Sequence, residues 1–423
     1  MKRALKLPRH FAIHPSGRVV LSGIESRLVA GQIPMFRVAG GNEPVFRLEL
    51  MFRAGKLYEA KHHAASATAA VITEGTTGMT GRTIAEALEY YGATVRAYAT
   101  PDTLSISVHA MTRFGKPVLD ILGQILFEPT FPEDELLQYQ KKKVQRQRLS
   151  MMQNEYVANR AFSEFMFGQE HPYGYSSTPE DVMSLSPQDL ANHHKLLGSQ
   201  SVQVFLAGDI GDAFMGDVEA LLVNMPVGRV VRRTELHPVQ QPGKWHMPGP
   251  QQHQISVRIG KQIISRGHED YPGLFLLNTI LGGYHGSRLV RNLREAKGLT
   301  YGIQSNLESL LQSTCFVVAT DANSSAQKVV VREIYREIRK LIAHPVSDPE
   351  MDMVRNYVSG NFLMQIDGPL NVVDTIKPLI LHGLPIAYFA EFLEQVRSTS
   401  AEHIQRLAAE YLDPGEMTEV VVG

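Results

Sequence analysis

The hydrophobic and polar positions of this chain form a pattern that is written twice, with an offset of roughly 205 to 217 residues. A strand-like segment with alternating character, 46–53, opens the series in the first half, and 254–259 is its counterpart in the second. Each is followed by a helical stretch that ends at glycine, at 64–75 and at 273–282. The repetition predicts two domains that arose by duplication and share one fold.

The next elements repeat in the same order. Each half has an amphipathic helix, at 82–91 and at 287–297, and a glycine follows each helix at Gly92 or Gly298. Glycine at this position is typical of a helix that ends in the left-handed backbone region. Two β-rich runs then predict a hairpin in each half. The runs are 94–98 with 104–110, and 300–305 with 315–320.

Each half closes with a helix and an apolar strand that ends in glycine, at 186–208 and at 400–423. This mixed order predicts the α+β fold class, with two homologous domains that each consist of a β-sheet packed with helices. We expect the domains to span 1–225 and 247–423. The segment between them, 226–246, is rich in proline, glycine, glutamine and arginine and lacks either period, so we expect a linker there.

Composition narrows the class of protein. The chain has 423 residues, of which 43% are hydrophobic and 20% charged, which is enough for two sizeable cores. Lys plus Arg number 42 against 43 Asp plus Glu, and this balance argues against a nucleic-acid partner. Cys315 is the only cysteine, which excludes an intramolecular disulfide and fits a reducing compartment. With no signal-like or membrane-length apolar run, we expect a cytoplasmic protein without a membrane partner.

Three sequence motifs carry a family resemblance: GTTGMTGRTIAEALEYYGA from Gly75, HPYG at 171–174, and SRLVRNLREAKGLTYG at 287–302. Together with the duplicated halves, they make the chain resemble the pitrilysin and mitochondrial processing peptidase family from residue 30 to the C-terminus. The most specific match is the family's arginine and tyrosine pair, here Arg294 and Tyr301, seven residues apart. The resemblance implies that the two domains form half of a clam-shell peptidase.

Active members of that family carry an inverted zinc motif, H-x-x-E-H, and a later glutamate completes the ligands. Counting back from Gly75 places the two histidine positions of the motif on Ser66 and Ala70. The position of the catalytic glutamate holds Ala69, and the later glutamate falls on Gln147. Because an alanine cannot coordinate a metal and a neutral amide is a poor zinc ligand, we expect neither metal nor cofactor in this chain.

Adjacent histidines offer the chain's other candidates for a metal site. On a helix, the side chains of His62 and His63 would point about 100° apart and could not both face one metal. We interpret them as surface or strand-edge histidines. His193 and His194 meet the same objection.

The family resemblance also marks a strand that would pair with the substrate. Members that cleave peptides have Asn-Ala on an edge strand, where this chain has Arg96, Ala97 and Tyr98. A peptide could still add to this edge through backbone hydrogen bonds, but the side-chain contact would differ.

The resemblance gives Arg294 and Tyr301 a role at a zinc site that faces them, where they would stabilise the oxyanion of the scissile carbonyl. Alternatively, Arg294 pairs with Glu295 or a neighbouring acid, and Tyr301 is a packed strand aromatic. The first interpretation implies a chain that is no enzyme on its own. It would be the non-catalytic subunit of a heterodimeric zinc metalloendopeptidase, whose H-x-x-E-H partner holds the zinc and whose substrates are peptides. A structural scaffold and a self-sufficient peptidase with an unrecognised metal site are the alternatives.

Overall fold

The structure is a computed structural model and describes residues 11–13, 19–21, 23–41, 43–229 and 238–423. Its contacts divide the chain into two compact units, each assembled from three segments. The first unit comprises Met1–Gln145, Ser177–Thr234 and Met364–Ile380, and the second comprises Arg146–Ser176, Glu235–Leu363 and Leu381–Gly423. Each unit therefore includes a segment from the opposite half of the sequence.

The described residues in the first half of the sequence form eight strands. They are β1 (Phe11–Ile13), β2 (Val19–Leu21), β3 (Ile24–Val29), β4 (Ile33–Ala39), β5 (Val45–Phe52), β6 (Thr94–Ala99), β7 (Leu104–Met111) and β8 (Val202–Gly208). β1 and β2 pair with each other, and the other six form one sheet in the order β3-β4-β8-β5-β7-β6. β4 and β8 run parallel, whereas the other neighbours are antiparallel. The sheet therefore ends at β6.

The same half contains eight α-helices within the ranges that the structure describes. They are α1 (Ala64–Val71), α2 (Gly81–Tyr90), α3 (Gly115–Phe127), α4 (Glu133–Ser150), α5 (Asn154–Phe167), α6 (Pro179–Met183), α7 (Pro187–His194) and α8 (Asp212–Val223). Local sequence fixes several of their ends. The Thr80 hydroxyl accepts a hydrogen bond from the Thr83 N–H at the start of α2, and Ser186 forms a capping box with Asp189 at the start of α7.

The second half builds a sheet with the same plan. Its strands are β9 (Gly243–Met247), β10 (Gln254–Ile263), β11 (Thr300–Ser309), β12 (Thr314–Asn323) and β13 (Thr418–Val422). Their order, β11-β12-β10-β13-β9, reproduces β6-β7-β5-β8-β4, and the parallel pair β13–β9 corresponds to β8–β4. The predicted duplication of one α+β fold is confirmed, with β3 as an addition to the first sheet.

From residue 238 onward the structure also describes six α-helices: α9 (Tyr271–Asn278), α10 (Gln327–Ala343), α11 (Asp348–Met364), α12 (Pro369–Leu381), α13 (Tyr388–Ser398) and α14 (Ala401–Tyr411). Two further helical segments, Thr279–Gly283 and Val290–Ala296, have π geometry where the sequence pattern predicts ordinary helices. A close approach occurs at the first of them, since a Cβ added to Gly282 would lie 2.6 Å from Ser305 Oγ. π segments occur often at functional sites.

The predicted linker needs one correction. Residues 230–237 of the segment 226–246 lie outside the described residues, but β9 begins at Gly243 and pairs with β13. Its five residues, GKWHM, show neither clear alternation nor a β-branched run, so the sequence pattern does not reveal them. The domain boundaries at 225 and 247 follow the sequence repeat and stay a prediction.

The central strand of each sheet carries a buried charged residue at the same register. Glu49 of β5 lies opposite Phe205, and Arg258 of β10 lies opposite Val420, each partner being three residues before the glycine that ends its segment. Lys377 of α12 donates to Glu49 at 2.8 Å. On the second sheet, the Arg258 guanidinium donates to Asn159 of α5 at 2.7 Å. Each sheet therefore receives a helix encoded in the other half of the chain.

Beside the Glu49–Lys377 pair, Arg47 donates two hydrogen bonds of 3.0 Å to Asp374 of α12, which fixes the helix to the first sheet at a second point.

The described part of the chain contains no helix that is both long enough and apolar enough to cross a membrane.

Candidate functional site

Counting back from Gly75 places the family's zinc motif on α1. It presents a hydroxyl at Ser66 and methyl groups at Ala69 and Ala70, and Ala69 is buried. Gln147 lies on α4 as a buried neutral amide. Within the described ranges, no group of three or more His, Cys, Asp or Glu residues could hold a metal ion. The donors at the four motif positions therefore do not fit zinc.

The expectation that His63 is a surface or strand-edge residue is wrong. His63 is buried and adopts a left-handed backbone, with φ of 71°, directly before α1. Its Nε2 lies 2.8 Å from the Tyr139 hydroxyl, and its Nδ1 lies 3.3 Å from Ser177 Oγ. Burial, with a smaller contribution from the charge of Lys143, lowers the pKa of His63 to about 4. His63 is therefore a neutral core residue at physiological pH.

The second histidine pair is also structural. Nε2–H of His193 donates to the Ala54 carbonyl oxygen at 2.8 Å, and that of His194 donates to the Leu126 carbonyl oxygen at 2.8 Å. Burial lowers the pKa of His193 to about 4. Both rings satisfy backbone acceptors inside the first unit, as buried polar groups must.

The residues predicted to contact a substrate strand lie on β6, at the edge of the first sheet. Arg96 and Tyr98 are exposed, whereas Ala97 packs against the core. The Tyr98 hydroxyl donates to Glu49 at 2.8 Å, and burial together with the Glu49 charge raises the pKa of Tyr98. No described strand pairs with the outer edge of β6, which suits addition of a peptide strand, and its use by a substrate stays a prediction.

Arg294 and Tyr301 come together in the second unit. Arg294 lies on the π segment Val290–Ala296, and Tyr301 is the second residue of β11 with its side chain 100% exposed. Both line a cavity of about 770 Å³. Among the residues that the structure describes, no carboxylate lies within 4.0 Å of the Arg294 guanidinium, and Glu295 does not pair with it. Neither of the alternatives, an ion pair for Arg294 or a packed aromatic at Tyr301, is realised.

A helix cap connects these two residues. Gly298 has φ of +60°, the left-handed conformation expected at this position, as does Gly92 in the first half. The Leu299 N–H donates to the Leu293 carbonyl oxygen at 2.8 Å, and the Gly298 N–H donates to the Arg294 carbonyl oxygen at 3.2 Å. The cap turns the chain from the segment that carries Arg294 into the strand that carries Tyr301.

The motif analysis did not find the other polar residues of this cavity. His253, Asp321 and Asn323 line it beside Arg294 and Tyr301. A smaller cavity of about 300 Å³ shares Arg294 and Asp321. Asp321 directly follows the apolar run 315–320 within β12, so a charged residue after an apolar run is the available signal. The combined surface offers a cation, a phenol and a carboxylate to a polar, extended ligand.

Comparison with known proteins identifies the family. The family model described as Insulinase (Peptidase family M16) matches residues 41–174, and the model described as Peptidase M16 inactive domain matches residues 184–358. The chain belongs to the M16 peptidase family. The resemblance inferred from the motifs is confirmed, and the names of the second family model and of two similar proteins support an inactive M16 member.

Some similar proteins are named as proteases and others as non-peptidase or inactive homologues. The Bacillus subtilis protein named uncharacterized zinc protease YmxG is 24% identical over 302 residues, which cover 70% of this chain and 72% of that protein. The Helicobacter pylori protein named non-peptidase homolog YmxG is 20% identical over 393 residues, 90% of this chain and 89% of its own. A Pseudomonas fluorescens structure titled peptidase M16 inactive domain shares the fold, with a TM-score of 0.85, 22% identity, and coverage of 95% and 98%.

Proposed function

We propose that this M16 chain is the non-catalytic subunit of a heterodimeric zinc metalloendopeptidase. It supplies Arg294 and Tyr301 to the active site of a partner chain that carries H-x-x-E-H. The observation behind the proposal is the fully exposed Tyr301 beside Arg294 on a cavity wall, with no carboxylate on the arginine among the described residues. A fully exposed tyrosine and an arginine without a counter-ion in the described part of the chain suit a ligand that arrives from outside.

The two side chains suit the stabilisation of negative charge. The Tyr301 hydroxyl can donate one hydrogen bond to the oxygen of a scissile carbonyl, and the Arg294 guanidinium can donate others while adding a positive charge. In the partner, zinc would activate the attacking water. Arg294 and Tyr301 would bind and orient the peptide carbonyl, and both would gain strength as its oxygen becomes an oxyanion.

The substrates in this proposal are short or unfolded peptides, which can lie extended along an exposed strand edge such as β6. The chain holds no cofactor, zinc resides in the partner, and the location is cytoplasmic. The single cysteine and the near-neutral net charge of -1 support a reducing compartment and a protein substrate over a nucleic acid.

The test is to combine this chain with an H-x-x-E-H subunit of the same family and to measure peptide cleavage by each chain alone and by the pair. We expect turnover only from the pair. Tyr301→Phe removes only the hydroxyl and should lower kcat by about 10²–10³, as the loss of one oxyanion donor does elsewhere. Arg294→Ala should have an effect of similar size.

Tyr90→Phe is the matched control, because Tyr90 is also largely exposed, at 81%, but lies on α2. The pair that contains Tyr90→Phe should cleave the peptide at the wild-type rate. Dimer formation, checked by size-exclusion chromatography, should be the same for all variants. Wild-type rates from both the Tyr301→Phe and the Arg294→Ala pairs would contradict the proposal.

A scaffold role is the second candidate, and the name non-peptidase homolog of the Helicobacter pylori relative favours it. A scaffold would form a stable complex with its partner whose peptidase activity, if any, does not change when Arg294 or Tyr301 is replaced. The same two variants therefore distinguish the two functions.

A further inference from the structure

The strand that carries Tyr301 is interrupted by a β-bulge. Along β11 and β12, Thr300 pairs with Ala322 and Ile303 pairs with Thr320. Two residues of β11, Tyr301 and Gly302, therefore lie opposite the one residue Asp321. An extra residue of this kind bends the strand and changes the direction of the neighbouring side chains.

The bulge decides which side chains are buried. In a regular strand, alternate residues face the same side, so Thr300 and Ile303 would face opposite sides. Here both are buried, and Tyr301 and Gly302 between them are exposed. Without the extra residue, either Ile303 would leave the core or Tyr301 would turn toward it, because a shift of one residue exchanges the two faces of a strand.

Two buried hydroxyls hold the bulge. Thr300 Oγ1 donates to the Asp321 carbonyl oxygen at 2.6 Å and accepts from the Gly302 N–H at 3.1 Å. Thr320 Oγ1 donates to the Gly302 carbonyl oxygen at 2.9 Å and lies 3.0 Å from Thr300 Oγ1. The exposures of Thr300 and Thr320 are only 8% and 3%. Both backbone polar groups of Gly302 are thus bound by threonine side chains, one from β11 and one from β12.

We propose that Thr300 and Thr320 are positioning residues, which fix the bulge and thereby the direction of the Tyr301 side chain. Tyr301 is fully exposed, so its backbone must set its position, because side-chain packing does not. Preorganised donors stabilise an oxyanion because they need no reorientation during the reaction. The inference rests on the proposed function for its catalytic consequence, but the order of the bulge can be measured without a partner.

The first experiment uses the isolated full chain. Thr300→Val keeps the shape of the side chain and removes the hydroxyl. We expect the Gly302 amide to exchange its hydrogen about tenfold faster, since it loses its acceptor. With fluorotyrosine incorporated, the ¹⁹F resonance assigned to Tyr301 by its loss in Tyr301→Phe should shift or broaden. Thr320→Val should act in the same direction, and Thr300→Ser should restore both signals.

Thr418→Val is the matched control. Thr418 is a buried threonine of the same sheet, and its hydroxyl donates to the Gln241 carbonyl oxygen at 2.9 Å, outside the bulge. It should lose stability without changing either signal. Unchanged Gly302 exchange and an unchanged Tyr301 resonance in folded Thr300→Val would overturn the proposal.

The second experiment measures peptide cleavage with the H-x-x-E-H partner. Thr300→Val should lower kcat about tenfold with KM within about twofold, and it should have no further effect in the Tyr301→Phe background. An equal loss in both backgrounds would show that Thr300 acts independently of Tyr301 and would overturn the proposal. If Tyr301→Phe alone cuts at the wild-type rate, the function proposed for that residue fails, and the exchange and ¹⁹F signals decide the positioning.

Discussion

The hairpins β6–β7 and β11–β12 occupy corresponding places at the edges of their sheets. Each follows a glycine with a left-handed backbone, Gly92 before the first and Gly298 before the second. In the first hairpin the register runs without a shift from Thr94 opposite His109 to Ala99 opposite Leu104. In the second, the register shifts after Thr300. One extra residue therefore distinguishes the regular edge strand β6 from β11, which projects the fully exposed side chain of Tyr301. A duplicated fold can in this way change the side chains it presents without changing its strand order.

The helical stretches between β5 and β6 and between β10 and β11 differ as well. The first half has a regular, alanine-rich α1, in which Ala65 and Ala67 are fully buried. The second half has π segments on both sides of a glycine-containing loop, and one of them carries Arg294. Ala69, at one of the altered motif positions, belongs to the buried core of the first unit.

The largest expected difference between the two sheets concerns their buried charges. Lys377→Met would leave the carboxylate of Glu49, a residue only 2% exposed, without its cation, and should cost about 3–5 kcal/mol of unfolding free energy. Glu155→Gln removes the corresponding acid near Arg258, but the Glu155 side chain is 59% exposed, so we expect less than about 1 kcal/mol. Urea unfolding of both variants measures the contrast, and equal losses would contradict it.

Acid should destabilise the first unit before the second. His63 and His193 have pKa values of about 4 in the folded chain, below the ordinary 6.5, so the unfolded state binds more protons between these values. Their stabilising effect is complete above pH 6.5 and is lost as the pH falls toward 4. At pH 5 the loss is about 2 kcal/mol for each histidine.

Hydrogen exchange should therefore show β5 and β7 losing protection at pH 5 before β10 and β12. His193→Gln removes one titrating ring and should flatten the dependence of unfolding free energy on pH in this window. A slope equal to that of the wild type would show that His193 does not contribute.

The two glycine caps should respond alike. Gly92 and Gly298 share φ of +60°, and a Cβ at either position meets nothing closer than 3.8 Å. Alanine at either position should therefore cost only the strain of a left-handed backbone, about 1–2 kcal/mol. Thermal unfolding of Gly92→Ala and Gly298→Ala tests this equality. A much larger loss at one cap would reveal a constraint beyond the backbone conformation.

The smallest expected effect is that of zinc. Because Ser66, Ala69, Ala70 and Gln147 supply no suitable ligand set, the purified chain should retain no stoichiometric zinc after dialysis, and EDTA should leave its Tm unchanged. Atomic absorption on the dialysed protein is the measurement. One zinc per chain that survives dialysis would favour the self-sufficient peptidase.

The sequence predicts the duplicated strand order well, because alternation and glycine-ended helices are local signals that occur twice. It does not reveal that His63 is buried, since the contact with Tyr139 joins residues 76 positions apart. The π segments share their spacing of apolar residues with ordinary helices and are invisible for that reason. The Arg294 and Tyr301 pair is visible as a motif, whereas the bulge depends on hydroxyls from two strands.

The exchange of helices between the halves has a consequence for synthesis on the ribosome. The first unit receives α12 from residues 369–381, although its preceding segment ends at Thr234. At translation rates of roughly 5–20 residues per second, the nascent first sheet waits on the order of ten seconds for the helix that neutralises Glu49. During that interval, the exposed sheet face is a natural substrate for a chaperone, and a stop codon before α12 would leave it uncovered permanently.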